Sequence, residues 1–405
     1  MTQPKKLLLI SAIYATERLP TVKGGAEIVA QRLARAVNER GVDVTALRAC
    51  RQGGDLSTEQ LRDIPVMSME MDRPYWPFDD VQRGAVQRLM WHAKDDLGAQ
   101  STAKAIMQDV QPDVVHTHNI GGLSTGVWRA AASLGIPIVH TIHDYYLLCP
   151  RTSRFRNGKI CGSTCGDCRM LTMRRRHDSN LVGDIVGVSG AVLAEHTKQG
   201  LFANARQHVV HNIIEQDMAA DPAMPQSPVT FGFLGRVTVE KGAERLVTAY
   251  AAMTRAARLV IGGRTDPALQ KRLRELTGEK PIEFLGFVKP ADFFRQIDVL
   301  VVPSIWQDPF PTVILEAQVA GKPTIGSRCG GIPEAIGGEA AGWTYDADAP
   351  GALTSLLDTV AAAPRAIMAK ATGAKAASDR FRAGLITDNY LDVYAKALIG
   401  KSQSQ

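Results

Sequence analysis

Two acidic residues, Asp308 and Glu316, flank a segment of the chain that could bind phosphate. In "SIWQDPFPTVILEAQVAGKPTIGSRCGGIPEA" (304–335) a strand is predicted to end at Pro303-Ser304, and a helix is predicted around 312–320. Backbone N–H groups at a helix N-terminus favour phosphate, and the two acids are spaced so that both can line one site. The alternative is that Asp308 caps the helix and Glu316 is a solvated helix residue.

Two cations, Arg236 and Lys241, follow another predicted strand in "FLGRVTVEKG" (233–242). Arginine can bind two phosphate oxygens at once and lysine acts as a point charge, so the pair suits a diphosphate. The alternative is a solvated turn. Because both motifs fall in βα units of one predicted domain, the functional interpretation is favoured for both.

A third pattern, "ICGSTCGDC" (160–168), is a C-x3-C-x2-C triplet. A radical enzyme that uses an iron–sulfur cluster would carry it near the first strand of a β/α barrel, whereas here it follows the fourth or fifth strand. With Cys149 upstream, Cys161, Cys165 and Cys168 could form a structural zinc site. Metal-free thiols are the alternative, so the triplet is expected to hold a loop rather than perform the chemistry.

Short, continuous apolar runs separated by helical patterns recur along both halves of the chain. Continuous runs predict strands buried on both faces, as in parallel sheets covered by helices. The polar segment 216–229 is the predicted linker between two such α/β domains. Ligands of this fold class bind at the carboxyl ends of the strands, so two facing domains are expected to place a site in the cleft between them. The runs are 7–14, 42–49, 113–119, 136–144, 185–189 and 208–214 in the first half, and 229–236, 257–263, 282–288, 299–304 and 323–327 in the second.

Length and composition predict a globular protein of two or three domains. The chain has 405 residues, of which 45% are hydrophobic and 22% charged, and its net charge is +6. Only 6% are aromatic and no basic run is interleaved with aromatic residues, so nucleic acid is not an expected partner. No apolar run approaches the ~20 residues that span a bilayer. We therefore expect a cytoplasmic protein, whose six cysteines are thiols or metal ligands.

Several motifs, in a fixed order along the chain, resemble those of the retaining glycosyltransferases of the GT-B fold, in particular their large family four. The motifs are "GGAE" (24–27), "TIHD" (141–144), "GRVTVEKG" (235–242), "GFVKPADFFRQIDVLVVPS" (286–304), "DPFPTVILEA" (308–317) and "GGIPEA" (330–335). The resemblance implies two doubly wound Rossmann-like domains facing across a cleft. Residues 1–215 would bind the acceptor, 216–385 would bind a UDP- or GDP-sugar donor, and a C-terminal helix at about 386–400 would pack back on the first domain.

The resemblance also implies roles for residues of the donor site. Arg236 and Lys241 would bind the donor diphosphate and stabilise it as the leaving group, and Glu316 would accept hydrogen bonds from the ribose. Asp308 takes the first acidic position of the E-x7-E pattern, which contacts hydroxyls of the donor sugar. The amides of Phe310 and Thr312 would lie near the phosphates and the sugar.

On the acceptor side, His143 would approach the reacting sugar, and Gly25 would let the backbone come close to the diphosphate or acceptor. Glu27, Asn119 and Asp144 are further candidates for contact with acceptor hydroxyls. In "VVHTHN", His116 and His118 alternate along a strand end, and local hydrogen bonding is predicted for them.

Two residues depart from the family pattern, and both bear on donor choice. Asp308 is one methylene shorter than the usual Glu, and Pro311 removes one backbone N–H donor. Fixed cations can stabilise a departing diphosphate without a metal. The D-x-D sequence Asp346-Ala347-Asp348 is interpreted as a turn.

The expected reaction is front-face transfer to a hydroxyl acceptor in polysaccharide, glycolipid or other glycoconjugate biosynthesis. The rivals are an epimerase or phosphorylase on the same fold and a non-catalytic sugar-nucleotide-binding protein. "MRRRH" (173–177) is either a solvated helix face or a contact with anionic lipid or a lipid-linked acceptor at the inner face of the membrane.

Overall fold

The computed structural model describes residues 3–19, 24–51, 53–54, 58–77, 83–97, 99–218 and 220–402. Short apolar segments form strands and amphipathic segments form helices. The strands are β1 (Lys6–Ile10), β2 (Asp43–Cys50), β3 (Glu59–Leu61), β4 (Ile64–Glu70), β5 (Val114–Thr117), β6 (Ile138–Ile142), β7 (Phe155–Arg156), β8 (Lys159–Ile160), β9 (Asp184–Gly187), β10 (Arg206–Val209), β11 (Val229–Leu234), β12 (Ala257–Gly262), β13 (Ile282–Gly286), β14 (Val299–Val302), β15 (Thr324–Ser327) and β16 (Gly342–Tyr345). The helices are α1 (Gly25–Asn38), α2 (Ala85–Leu97), α3 (Gln100–Val110), α4 (Gly126–Ser133), α5 (Gly166–Leu171), α6 (Met173–Asp178), α7 (Gly190–Lys198), α8 (Ala243–Ala251), α9 (Pro267–Thr277), α10 (Pro290–Phe294), α11 (Thr312–Val319), α12 (Ile332–Ile336), α13 (Ala352–Ala361), α14 (Pro364–Ala377) and α15 (Ala383–Ser402).

The chain divides into two compact units. The first comprises Met1–Arg154, Gly162–Ile213 and Ala383–Gln405, and the second comprises Phe155–Cys161 and Ile214–Arg382. The linker predicted at 216–229 thus falls in the second unit, as does the β7–β8 hairpin, which the sequence-based boundaries place in the first domain. The C-terminal helix α15 belongs to the first unit, where it packs on α1, β5 and β6.

The first unit contains a sheet in the order β10-β9-β6-β5-β1-β2-β4-β3, parallel except for the β3–β4 pair. Its central strands are buried on both faces; Leu7, Leu8 and Leu9 of β1, for example, are all fully buried. The strand order reverses beside β1, where β5 and β2 are its neighbours. Such a switch point opens a crevice at the carboxyl ends of the strands.

The second unit contains a fully parallel sheet in the order β13-β12-β11-β14-β15-β16. Its order reverses between β11 and β14. The prediction of two doubly wound parallel sheets is therefore confirmed. The apolar runs did not reveal β3, the β7–β8 hairpin or β16, which are short. They also missed β4, whose first four residues alternate between buried and half-buried.

None of the helices in the described ranges is both long enough and apolar enough to cross a membrane.

Candidate active site

The predicted donor-site residues of the second unit collect at the switch point of its sheet. Arg236 and Lys241 follow β11, and Asp308 follows β14, which is hydrogen-bonded to β11. Arg236 is exposed. Gly242, next to Lys241, has a φ of 76°, and a Cβ there would lie 1.9 Å from the carbonyl oxygen of Pro303. Only glycine lets the two strand ends approach this closely.

Lys241 and Asp308 form an ion pair at this edge. Lys241 Nζ donates to Asp308 Oδ2 at 2.6 Å, and the two side chains are 24% and 5% exposed. The hydroxyl of Ser304 donates to the same carboxylate oxygen at 3.3 Å. The Lys241 ammonium also lies 5.3 Å from the ring centroid of Trp306. The sequence analysis predicted that Lys241 contacts the diphosphate and Asp308 contacts the sugar. In the structure the two side chains contact each other directly.

Helix α11 begins at Thr312, and its N-cap is Pro311. Asp308 is not the cap, so the alternative interpretation of that acid is wrong. Thr312 and Glu316 are both half-buried, with Glu316 one turn inside the helix. Phe310 is 4% exposed and packs edge-on against Phe381, with ring centroids 5.8 Å apart. Thr312 and Glu316 therefore extend the same strand-end region, whereas the Phe310 side chain belongs to the core.

In the first unit, the predicted acceptor-side residues follow β1, β5 and β6, which are neighbours in the sheet. Gly25 is the exposed first residue of α1. Glu27, one turn into that helix, is 8% exposed, and its Oε1 accepts a hydrogen bond of 2.8 Å from Nδ2 of Asn119. The switch point of this sheet thus brings Glu27 and Asn119 into contact.

Asp144 lies close enough to Glu27 for the two carboxylates to influence each other. Burial, together with the charge of Glu27, raises the pKa of Asp144 to about 6, against the lowering effect of the hydrogen bond from the Tyr146 amide. Burial also raises the pKa of Glu27. Hydroxyl groups that donate to these carboxylates would satisfy both of them.

His143 is held by a second histidine at the same edge. Its Nε2 lies 2.8 Å from Nδ1 of His118, and the two rings stack with centroids 5.1 Å apart. Burial lowers the pKa of His143 to about 3, so the ring is neutral near pH 7. His118 is 2% exposed, and burial lowers its pKa well below the usual value. The sequence did not identify His118 as the partner of His143, although the H-x-H alternation at a strand end is the signal that could have done so.

The other histidine of that alternation, His116, points to the C-terminal helix. Its Nδ1 lies 2.8 Å from the hydroxyl of Tyr394, and its Nε2 lies 2.8 Å from Oγ1 of Thr141. Thr141 also lies 3.2 Å from the hydroxyl of Tyr390. Helix α15 therefore supports the ends of β5 and β6 from behind, through hydroxyl contacts that no local motif reveals.

Three of the four cysteines singled out from the sequence are neighbours. Burial, together with Cys165 and Cys149, raises the pKa of Cys168 to about 12. Cys161 clusters with the second unit. Across the described ranges, no group of three or more His, Cys, Asp or Glu side chains is arranged to hold a metal ion. These thiols do not fit a zinc site as they lie, and the zinc interpretation stays a prediction.

The basic run 173–177 is only partly solvated. Arg175 is fully buried, where it pairs with Asp95 at 3.2 Å and lies 4.1 Å from the ring centroid of Tyr146. Arg176 is half-buried and donates to the Gln199 carbonyl at 3.0 Å. Arg174, whose side chain is 47% exposed, is the arginine of the run that faces solvent. Arg175 and Arg176 are therefore not available to anionic lipid, and a membrane contact of this region stays a prediction.

Comparison of the sequence with known protein families shows to which family the chain belongs. Residues 23–217 match the profile "Glycosyltransferase Family 4", and residues 228–362 match "Glycosyl transferases group 1". The chain belongs to glycosyltransferase family 4. The two matches cover both α/β units, so the enzyme class inferred from the motifs is confirmed.

Relatives and solved structures agree with this assignment. An uncharacterised 42.6 kDa protein in the cps region of Klebsiella pneumoniae is 27% identical over 330 residues, 81% of this chain and 86% of that protein. D-inositol 3-phosphate glycosyltransferase of Xylanimonas cellulosilytica is 26% identical over 416 residues, 92% of each chain. Sucrose-phosphate synthase from Thermosynechococcus elongatus superposes with a TM-score of 0.74 at 16% identity, covering 98% of this chain and all of that one. Anabaena HepE, solved in complex with UDP, superposes with a TM-score of 0.68 at 17% identity, covering 97% and 100%. The architecture of this family 4 glycosyltransferase is thus GT-B, with two Rossmann-like α/β domains.

Proposed function

We propose that this family 4 enzyme is a retaining hexosyltransferase that moves a sugar from a UDP- or GDP-sugar to a hydroxyl acceptor. The observation that carries the proposal is the group at the β11/β14 switch point, where Arg236 and Lys241 follow β11 and Asp308 and α11 follow β14. Anions bind at such helix N-termini and strand ends. HepE, which shares the fold, was solved with UDP.

In this proposal Arg236 and Lys241 bind the diphosphate, and the amides of Phe310 and Thr312 lie near the phosphates and the sugar. Glu316 accepts hydrogen bonds from the ribose. Breaking the bond between the sugar and phosphate leaves negative charge on the diphosphate, which fixed cations stabilise most as it develops. The two basic side chains take the part that a metal ion plays in other transferases.

On the acceptor side, we propose that Glu27, Asn119 and Asp144 bind hydroxyl groups, and that Gly25 admits the ligand to the backbone. His143 is proposed to meet the reacting sugar as a neutral ring, since its pKa is lowered to about 3 by burial. The acceptor oxygen attacks on the face from which the diphosphate leaves, and the departing phosphate takes its proton. The expected product keeps the anomeric configuration of the donor.

We also propose in which kind of pathway the enzyme acts. The relative in the cps region of K. pneumoniae supports a role in polysaccharide or related glycoconjugate biosynthesis.

A donor screen tests the reaction and the site together. UDP-glucose, UDP-galactose and GDP-mannose are each added to the purified chain, and release of UDP or GDP is measured. Glu316→Ala is expected to lower release at least tenfold, because it removes a charge-assisted hydrogen bond worth about 1.5–3 kcal/mol. Glu339→Ala, at an exposed position of the same unit, is the matched control.

Release that survives Glu316→Ala unchanged would remove the proposed ribose contact. NMR of the product in the same assay reports the linkage, and an inverted anomeric centre would contradict the front-face mechanism.

We further propose that the enzyme meets a lipid-linked acceptor at the cytoplasmic face of a membrane. The contact would be an apolar–basic surface made by α2 and α5 with the start of α6. On α2, Val86, Leu89 and Met90 are 70%, 49% and 53% exposed at helical spacing, and Arg88 beside them is exposed. Helix α2 packs beside α5. Exposed apolar residues flanked by arginine suit an anionic lipid surface.

Residues of the neighbouring helices continue this surface. Met170 of α5 and Met173 of α6 are 65% and 68% exposed, and Arg169 is exposed next to Met170. Arg175, by contrast, is held in a buried ion pair with Asp95. Met170 and Met173 add apolar area to the surface, and Arg169 adds positive charge.

Flotation with vesicles tests the surface. The chain is expected to float with vesicles containing phosphatidylglycerol, and the double variant Leu89→Ser/Met90→Ser is expected to lose most of that binding. Phe287→Ser, at an 80% exposed position of the second unit, is the control. Equal flotation of all three proteins would remove the proposed membrane contact and leave the transferase proposal intact.

A further inference from the structure

Asp308 faces Lys241, not solvent. Its Oδ2 accepts hydrogen bonds from Lys241 Nζ at 2.6 Å and from the Ser304 hydroxyl at 3.3 Å. Its side chain is 5% exposed. An acid that contacts the hydroxyls of a bound sugar would be expected to reach into the ligand space, whereas this one binds the ammonium of Lys241.

The backbone around Asp308 is fixed as well. The Asp308 carbonyl accepts from the Gly331 amide at 2.8 Å, and the side chain of Gln307 accepts from the Gly330 amide at 2.7 Å. Gly330 has a φ of 58°, and a Cβ there would lie 2.3 Å from the Asp308 carbonyl oxygen. The loop therefore cannot advance to compensate for the missing methylene of an aspartate.

Lys241 needs a partner of this kind more than Arg236 does. A lysine side chain is a flexible stem with a point charge, and ordering it costs up to about 2 kcal/mol. Its ammonium has three donors, of which Asp308 uses one, so two remain for phosphate oxygens. The pair at 2.6 Å, together with the Trp306 ring 5.3 Å from Nζ, holds the ammonium in place before a ligand arrives.

We infer that Asp308 is a positioning residue for Lys241 and not a ligand of the donor sugar. This inference rests on the proposed function, because it assumes that Lys241 binds the donor diphosphate. On this inference Asp308 acts on the diphosphate, which is the part of the donor that all of these nucleotide sugars share. Consequently Asp308 contributes to diphosphate affinity, and the choice of sugar lies with other residues.

Binding with and without the sugar separates the two roles. Affinities of UDP, UDP-glucose, GDP and GDP-mannose are measured by calorimetry on the full chain, and the tighter nucleotide pair is carried forward. Asp308→Ala is expected to weaken the nucleoside diphosphate and its sugar form by the same factor, about tenfold. Asp308→Asn, which keeps the shape and one acceptor oxygen, is expected to fall between wild type and Ala. The control is Glu244→Ala. Glu244 lies on α8, the helix after Lys241, and the substitution breaks its ion pair with Arg272 of α9.

A double variant adds a second readout. In a Lys241→Met background, Asp308→Ala is expected to cause no further loss and to recover part of the binding, because the group that it positions is gone and its own charge is left unpaired. Weaker binding of the sugar form alone, with unchanged UDP or GDP affinity, would overturn the inference and restore a sugar contact. Tighter diphosphate binding by Asp308→Ala would overturn it too, since the acid would then be opposing the phosphate. A wild-type chain that binds neither nucleotide would overturn the proposed function itself, and this inference with it.

Discussion

Lys241→Met is expected to lower kcat/KM about a thousandfold, and Arg236→Met by a similar factor. Removing one preorganised donor that faces developing negative charge costs about 10²–10³ in rate. The lysine variant carries a second penalty, because it leaves the carboxylate of Asp308 buried without its 2.6 Å partner at the place where the diphosphate must sit. Arg236→Lys is expected to recover only part of the loss, since an ammonium cannot bind two oxygens in the fixed geometry of a guanidinium.

Steady-state kinetics with the donor found in the screen measures these effects. Lys271→Met, whose side chain is 82% exposed on α9, is the matched control for loss of one positive charge in the same unit. Thermal unfolding of each variant shows whether the fold survives the substitution. A Lys241→Met enzyme with near wild-type kcat/KM would exclude the leaving-group role and leave the family assignment untouched.

The sheets and the strand ends could be predicted because burial on both faces leaves a local trace. Runs such as 229–236 and 299–304 contain no alternation, and the polar residues that follow them must lie at the carboxyl edge. Arg236, Lys241 and Asp308 were found in this way. The short strands β3 and β16 leave too little apolar sequence for the same inference.

Contacts between residues far apart in sequence could not be predicted. Arg175 appears solvated in "MRRRH", yet it is buried because Asp95 on α2 offers it a carboxylate. His118 reaches His143 because β5 and β6 are neighbours, and Tyr394 reaches His116 from a helix almost three hundred residues later in the chain. In each case the partner comes from another helix or strand. The residue types near each position are compatible with both a buried and an exposed side chain, so the local sequence does not predict the contact.

The first unit is expected to lose stability steeply as the pH falls from about 6.5 toward 4. It contains buried histidines whose pKa is lowered because burial penalises the charged ring, to about 3 for His116 and about 4 for His196. An unfolded histidine titrates near 6.5, so at lower pH the unfolded chain binds protons that the folded chain refuses. The stabilisation that these neutral histidines give to the fold is therefore fully present above about pH 6.5 and is lost progressively below it. The histidines with a lowered pKa are His92, His116, His118, His140, His143 and His196.

Three carboxyl groups of the same unit oppose this effect. Burial raises the pKa of Glu27, Asp95 and Asp144, so the folded chain holds their protons more tightly than the unfolded chain does. Falling pH below about 6 favours the fold through these groups. With six histidines against three acids, the histidines dominate. Asp184 acts with the histidines, because hydrogen bonds from Arg206 and His208 lower its pKa despite the opposing effect of burial. The net loss between pH 6 and 4 is therefore expected to exceed about 1.4 kcal/mol per pH unit, the contribution of one such group.

Urea unfolding of the full chain at pH 7.5, 5.5 and 4.5 measures the slope, and His196→Gln identifies its source. His196 is fully buried, its Nδ1 lies 2.8 Å from the Val192 carbonyl, and its ring stacks on Tyr145 away from the proposed ligand contacts. Removing this titrating ring should lower stability at pH 7.5 but flatten the pH dependence by about 1.4 kcal/mol per unit. His177→Gln, at an exposed position of α6, is the matched control. Equal stability at pH 7.5 and 5.5 would mean that the buried histidines do take up protons in the fold, and the neutral state assigned to His143 would have to be abandoned with it.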